Sequence, residues 1–307
     1  MKRNAKPHRK LIAAIGIALL VAGITRTSRA DDGRDFADKT KFTKIDVPGA
    51  AGTTEAFGIN PQGDIAGTYF AVSNNTLIIH GFLLSKGTFT NIDVDIPGAL
   101  AGSTNAIGIN PRGDIVGLYT DSSGNGVGFL LSHDTFTKIN VPGSTFTVAQ
   151  GINPQGDVVG FGNGHGFLLS KGKFTNIDVP GALAGSTSAN GINPQGDIVG
   201  TYADSSGNTH GFLLSHGRFT TIDVPGASGL FGSSPWGINP KGDISGYYSD
   251  SSGNFHGFLL SKGRFNVIDV PAAFGIGTQA YGINPQGDIV GLYSDGSGNT
   301  HGFLLSK

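Results

Sequence analysis

The sequence predicts an all-β fold: a six-bladed β-propeller of four-stranded antiparallel blades, its ring closed by an N-terminal strand that completes the C-terminal blade. Three observations predict it. "GINP" begins at Gly58, Gly108, Gly151, Gly191, Gly237 and Gly282, at spacings of 50, 43, 40, 46 and 45 residues. Each unit carries four short β-forming runs divided by turn signals, which is the period and strand count of a propeller blade. The two ends also carry complementary fragments of one unit. "HGFLLSK" at the C-terminus stops after a third run, and "KFTKIDVPGA" from Lys41 is a fourth run with no predecessors. A β-solenoid or open sheet would leave that complementarity unexplained, whereas a closed ring removes the open edge.

Residues 1–30 read as a secretory signal. A basic start, "MKRNAKPHRK", precedes the apolar run "LIAAIGIALLVAGI", and Ser28 and Ala30 supply the small residues of a cleavage site. The apolar run is shorter than the roughly 20 residues a spanning helix needs, which disfavours the alternative of an uncleaved anchor. A polar leader over 31–40 and one propeller domain over 41–307 follow. These thirty residues hold seven of the 21 Lys and Arg and no acid. The remainder has 14 cations against 22 acids, a balance of −8 that disfavours nucleic acid and anionic membranes as partners. There is no cysteine, hence no disulfide framework and no thiolate metal site.

Within the fourth unit the runs are "SANGIN", "DIVGTY", "HGFLLS" and "RFTTIDV", rich in β-branched and aromatic residues. "NPQGD" joins the first pair, because proline presets the first turn position and glycine takes the left-handed one. "DSSGN" joins the second pair and "HG" or "KG" the third, the latter a two-residue hairpin. The third unit deletes five residues at the second junction, and Asn163-Gly164 remains as a tight hairpin signal. The runs are apolar on both alternations, as a blade buried between two neighbours requires.

The repeated phrase "HGFLLSxGxFTxIDVPGA…GINPxGDIVGxY" resembles the HAF-repeat family of extracellular bacterial proteins. The resemblance spans 41–307 and recurs six times, with His-Gly-Phe as the name-giving triplet and Val127 in the histidine position of the second copy. It implies export and a repeat fold; it implies no activity and no catalytic residues.

What every copy shares is expected to build the scaffold. His80, His165, His210, His256 and His301 open third strands of different blades and cannot converge on a metal. A hydrogen bond within the same hairpin, to Asp204 or its equivalents, is the expected role. The "NPQGD" aspartates are expected to bond nearby backbone, and those of "IDVP" to protect an outer edge. The "DSSGN" loops lack the spacing of a calcium loop. Glu55, the only glutamate, and Asp95, in an insertion, are the acids that could form a catalytic pair, but no base, nucleophile or orienting group accompanies them.

One position never repeats. Just before each "GIN" stand Phe57, Ile107, Gln150, Asn190, Trp236 and Tyr281. If the first strand is innermost, these residues ring one mouth of the channel, with aromatics on blades five, six and one. Leu230, Phe231, Phe274 and Ile276 are candidate supports or caps. The expectation is a non-enzymatic binding module, a monomer without cofactor or metal, that holds a glycan or other amphipathic small molecule at this mouth. A structural or protein-interaction scaffold is the alternative, and a propeller hydrolase or lyase comes third.

Overall fold

The computed structural model describes residues 40–306 apart from 274 and 276. The signal and most of the leader, together with Phe274 and Ile276, lie outside the described residues. Six four-stranded antiparallel sheets form the blades of a β-propeller. In blade 1 the strands are Thr54–Ile59, Ile65–Ser73, Thr76–Ser85 and Thr88–Ile92, paired in sequence order. Blades 2 to 5 repeat this order. Blade 6 takes its fourth strand from the other end of the chain. Lys41–Ile45 pairs with Thr300–Ser306, Lys41 facing Ser306 and Ile45 facing Gly302.

The closing strand reproduces the internal packing. In every blade a third-strand phenylalanine is buried against a fourth-strand phenylalanine edge-to-face, as Phe82 is on Phe89 and Phe212 on Phe219. Across the closure the pair is Phe303 and Phe42, with centroids 5.7 Å apart. Each buried ring contributes about 1.5–3 kcal/mol, and the edge-to-face geometry adds about 0.5–1.5 kcal/mol. Ile45 and Val47 are buried in the seam between blades 6 and 1 together with Ala56 and Val290.

The turns differ in one respect from expectation. In "NPQGD" it is asparagine that bonds the backbone. Asn60 Oδ1 accepts from the amides of Gln62 at 3.0 Å and Asp64 at 2.9 Å. The Asp64 carboxylate instead accepts from Asn60 Nδ2 at 2.9 Å and from Ser85 Oγ at 2.5 Å, tying the turn to the third strand. In "DSSGN" the aspartate does bond backbone: Asp204 Oδ1 accepts from Ser206 and Asn208. Blade 1 also departs from the repeat, because its central hairpin is extended and turns on Asn74 and Asn75, leaving Val72 and Leu77 exposed.

The histidines are structural, but the main partner differs from the one expected. His210 Nδ1 lies 2.9 Å from Asp223 on the fourth strand, and its Nε2 only 3.5 Å from Asp204. His80, His165, His256 and His301 make the same contact with Asp93, Asp178, Asp269 and Asp46. The "IDVP" aspartates are therefore partners of histidine, beyond any role at the edge. In four of these blades a tyrosine ring lies on the imidazole, Tyr202 on His210 at 5.3 Å for example. Hydrogen bonding to Asp269 raises the His256 pKa against the effect of burial. At His210 and His301 burial pulls the pKa down, and the aspartates more than offset it.

Candidate functional site

The first strands are innermost, as the sequence implies, and they approach one another at glycine. A Cβ placed on Gly58 would lie 2.6 Å from the carbonyl oxygen of Ile107, and one on Gly282 would lie 2.7 Å from that of Phe57. Six first strands can meet around one axis only because this position has no side chain.

The residue just before each of these glycines is the one that never repeats, and its placement has a local cause. In every blade the ladder between first and second strands shifts register there, between Ala56 and Gly58 in blade 1 and between Pro235 and Gly237 in blade 5. Equivalent shifts fall at Ile107, Gln150 and Asn190, and in blade 6 the shift spans Tyr281 and Gly282. A bulge leaves its extra residue out of the ladder and re-aims the side chain. Phe57, Ile107, Gln150, Asn190 and Trp236 thereby line an axial cavity of about 80 Å³, together with the isoleucine two residues further along each first strand (Ile59 to Ile283).

The aromatic arc is present. Tyr281 meets Trp236 edge-to-face at 4.8 Å and Phe57 at 5.0 Å. The amides opposite are joined through Ser188, whose hydroxyl lies 3.0 Å from both Gln150 Oε1 and Asn190 Oδ1, while Asn190 Nδ2 donates to the Pro235 carbonyl at 2.9 Å. The six residues are not equally available. Tyr281, Asn190 and Ile107 are buried, whereas Phe57, Gln150 and Trp236 are partly exposed. The cavity is well below the roughly 300–1,000 Å³ of small-molecule pockets, so a ligand here would lie on the ring.

Two residues above the bulge, the first strands carry Glu55, Asn105, Val148, Ser188, Ser234 and Gln279. Gln279 Oε1 accepts from the Tyr281 hydroxyl at 2.7 Å, which leaves its Nε2 buried without a partner. Thr68, directly opposite Glu55 in the ladder, has a buried hydroxyl without a partner. Glu55 is partly buried and has no hydrogen-bond or ion-pair partner among the described residues. Burial alone pushes its carboxyl up to about 7. Tyr281 is raised well above the usual phenol value by burial, with smaller contributions from Tyr247 and from Glu55. Asp95 lies exposed on the connection between blades 1 and 2, whereas Glu55 is partly buried on the first strand of blade 1.

Among the described residues no three potential metal-binding His, Cys, Asp or Glu side chains come together, and no helix is long and apolar enough to cross a membrane. A second cleft, of about 640 Å³, lies between blades 2 and 3. Ser170 and Asp157 line it, and the serine–aspartate bond made in blades 1, 2, 4 and 5 is open there.

No protein-family model matches the chain, and no curated protein matches it. Solved structures match in fold. AofleA from Arthrobotrys oligospora is similar at 14% identity and a TM-score of 0.54, over 86% of each chain. The fucose-specific lectin from Aleuria aurantia is similar at 12% identity and a TM-score of 0.50, over 87% of this chain and 92% of the lectin. At these identities the likeness is one of fold.

Proposed function

We propose that the chain is an exported, HAF-repeat-like propeller that binds a glycan without transforming it, at the ring of bulged residues. The observation that carries this is the contact of Trp236, Tyr281 and Phe57 across three neighbouring blades, facing the linked amides of Gln150 and Asn190. A sugar has apolar faces that suit aromatic rings and hydroxyl edges that suit amides. The fucose-specific lectin shares the fold, and residues 1–30 read as an export signal; both support the reading. The small cavity directs the ligand to the partly exposed Trp236, Phe57 and Gln150.

The test is a glycan-array screen of the chain without residues 1–30, followed by titration of any hit against tryptophan emission. Trp236 is the only tryptophan, so the signal reports this site alone. Binding should shift the emission, and Trp236→Ala should abolish binding with the fold retained. A hit that leaves the emission unchanged and binds the variant as well as the wild type places the site elsewhere.

A protein-interaction scaffold is the second reading. Leu100, Leu183, Leu230 and Phe231 favour it, since all four are exposed on connections between blades. Substituting serine at Leu230 and Phe231 would then remove partner binding and spare saccharide binding.

A further inference from the structure

The channel just above the bulged ring holds polar groups that the protein leaves unsatisfied, and they gather on one side. On the side of blades 3 to 5, the Ser188 hydroxyl lies 3.0 Å from Gln150 Oε1 and from Asn190 Oδ1, its one proton serving either of them, and Asn190 Nδ2 donates to the Pro235 carbonyl. On the side of blades 6, 1 and 2, the Thr68 hydroxyl and Gln279 Nε2 are buried without a hydrogen-bond partner, and the partly exposed side chains of Glu55 and Asn105 make no hydrogen bond among the described residues. Buried polar groups are ordinarily paired, so an open set of this kind calls for a guest. Glu55 is also the only acid at its level of the ring, where the other blades place Asn, Val, Ser, Ser and Gln.

The chemistry of the guest follows from the set. A carboxylate with no cation beside it is matched by a cation that donates hydrogen bonds. The ring of Tyr281, near enough for Glu55 to act on its hydroxyl, is also compatible with a neighbouring cation. The Thr68 hydroxyl and the Asn105 amide can each donate or accept, and Gln279 Nε2 donates. A primary ammonium can donate to the Glu55 carboxylate and to the Thr68 and Asn105 oxygens, and a hydroxyl carried beside it would accept from Gln279 Nε2. Only the head group need enter, because Glu55 and Asn105 keep some exposure.

We propose that the channel beside Glu55 is a subsite for a primary ammonium group and that the glycan bound at the ring is an amino sugar. The second half rests on the glycan reading; the ammonium subsite does not. The elevated Glu55 pKa fits a carboxyl awaiting its counter-ion. The chain without residues 1–30 would be titrated, at neutral pH, with glucosamine oligomers and with their N-acetylated counterparts, following Trp236 emission. The free amine should bind at least tenfold tighter, and in Glu55→Gln the two should bind alike. Equal binding by the wild type, or a preference that survives in Glu55→Gln, would overturn the amino-sugar assignment and leave the glycan reading standing. A second measurement needs no sugar. Methylammonium chloride, against sodium chloride at equal ionic strength, should raise the Tm of the wild type and not that of Glu55→Gln. Failure of that rise would overturn the ammonium subsite whether or not any glycan binds.

Discussion

At the rim of the ring, five histidines each meet an aspartate of the adjoining fourth strand, in one geometry repeated blade after blade. At the axis, the six residues at the register shift of the first strands are six different side chains. Blade 2 shows what the rim tolerates. Val127 replaces its histidine and Asn140 replaces the matching aspartate, so the pair is lost as a unit. The rim keeps or discards whole interactions that hold a blade together. The axis keeps its backbone and varies the side chain, which is how a symmetric scaffold acquires one asymmetric surface.

Four perturbations probe that contrast, from the largest effect to the smallest. Deleting residues 31–49 removes the closing strand, with Ile45 and Val47 from the seam and the Phe42 contact to Phe303. Three such side chains are together worth on the order of 5 kcal/mol, so calorimetry should record a Tm lower by roughly 10 °C or more. A change of a degree or two would mean that closure does not hold the ring.

Glu55→Gln works in the opposite sense. A carboxyl raised from 4.5 to about 7 in the folded chain holds a proton that the unfolded chain has released. Stability therefore falls as pH rises between those values and stays low above them. The variant should be more stable than the wild type at pH 8 by up to about 3 kcal/mol, and the two should converge near pH 4. Chemical denaturation at both values checks the sign.

His210→Ala should cost about 1 kcal/mol, because the pair is partly solvated. The raised pKa values of His210, His256 and His301 mean that their contribution is complete below the unfolded histidine value and fades as pH rises through the folded one. Asp204, the more distant partner of His210, is held at about 2 by Asn208 and its neighbours, so its share of the contact is lost only in strong acid. The cost of His210→Ala should therefore be larger at pH 5.5 than at pH 8.5. The smallest effect belongs to His210→Val with Asp223→Asn, which copies blade 2. It should cost less than His210→Ala alone, by about 0.5 kcal/mol, since no unpaired aspartate remains.

Much of this fold was legible because its signals are local. Turn glycines, prolines and asparagines mark each hairpin, and the orphan fourth strand at Lys41 announces its partner. The axis was legible only as a position, the one place where copies disagree. That Tyr281 is buried while Trp236 is partly exposed depends on how six different side chains share one lumen, and no single repeat encodes it. The His210–Asp223 pair escaped because it depends on strand register. Gly211 faces Ile222 in the ladder, which brings the preceding histidine beside the following aspartate, whereas Asp204 is simply nearer in sequence. The isolation of Glu55 was hidden for a similar reason: its surroundings come from the next strand and from blade 6, not from its own repeat.

The direct test of the division between rim and axis is one paired measurement, saccharide affinity and Tm, on Trp236→Ala and His210→Ala together. Trp236→Ala should lose binding while the propeller stays folded, and His210→Ala should lower Tm with affinity unchanged. If His210→Ala weakens binding while Trp236→Ala binds as the wild type does, the ligand sits at the rim and the divergent ring is packing.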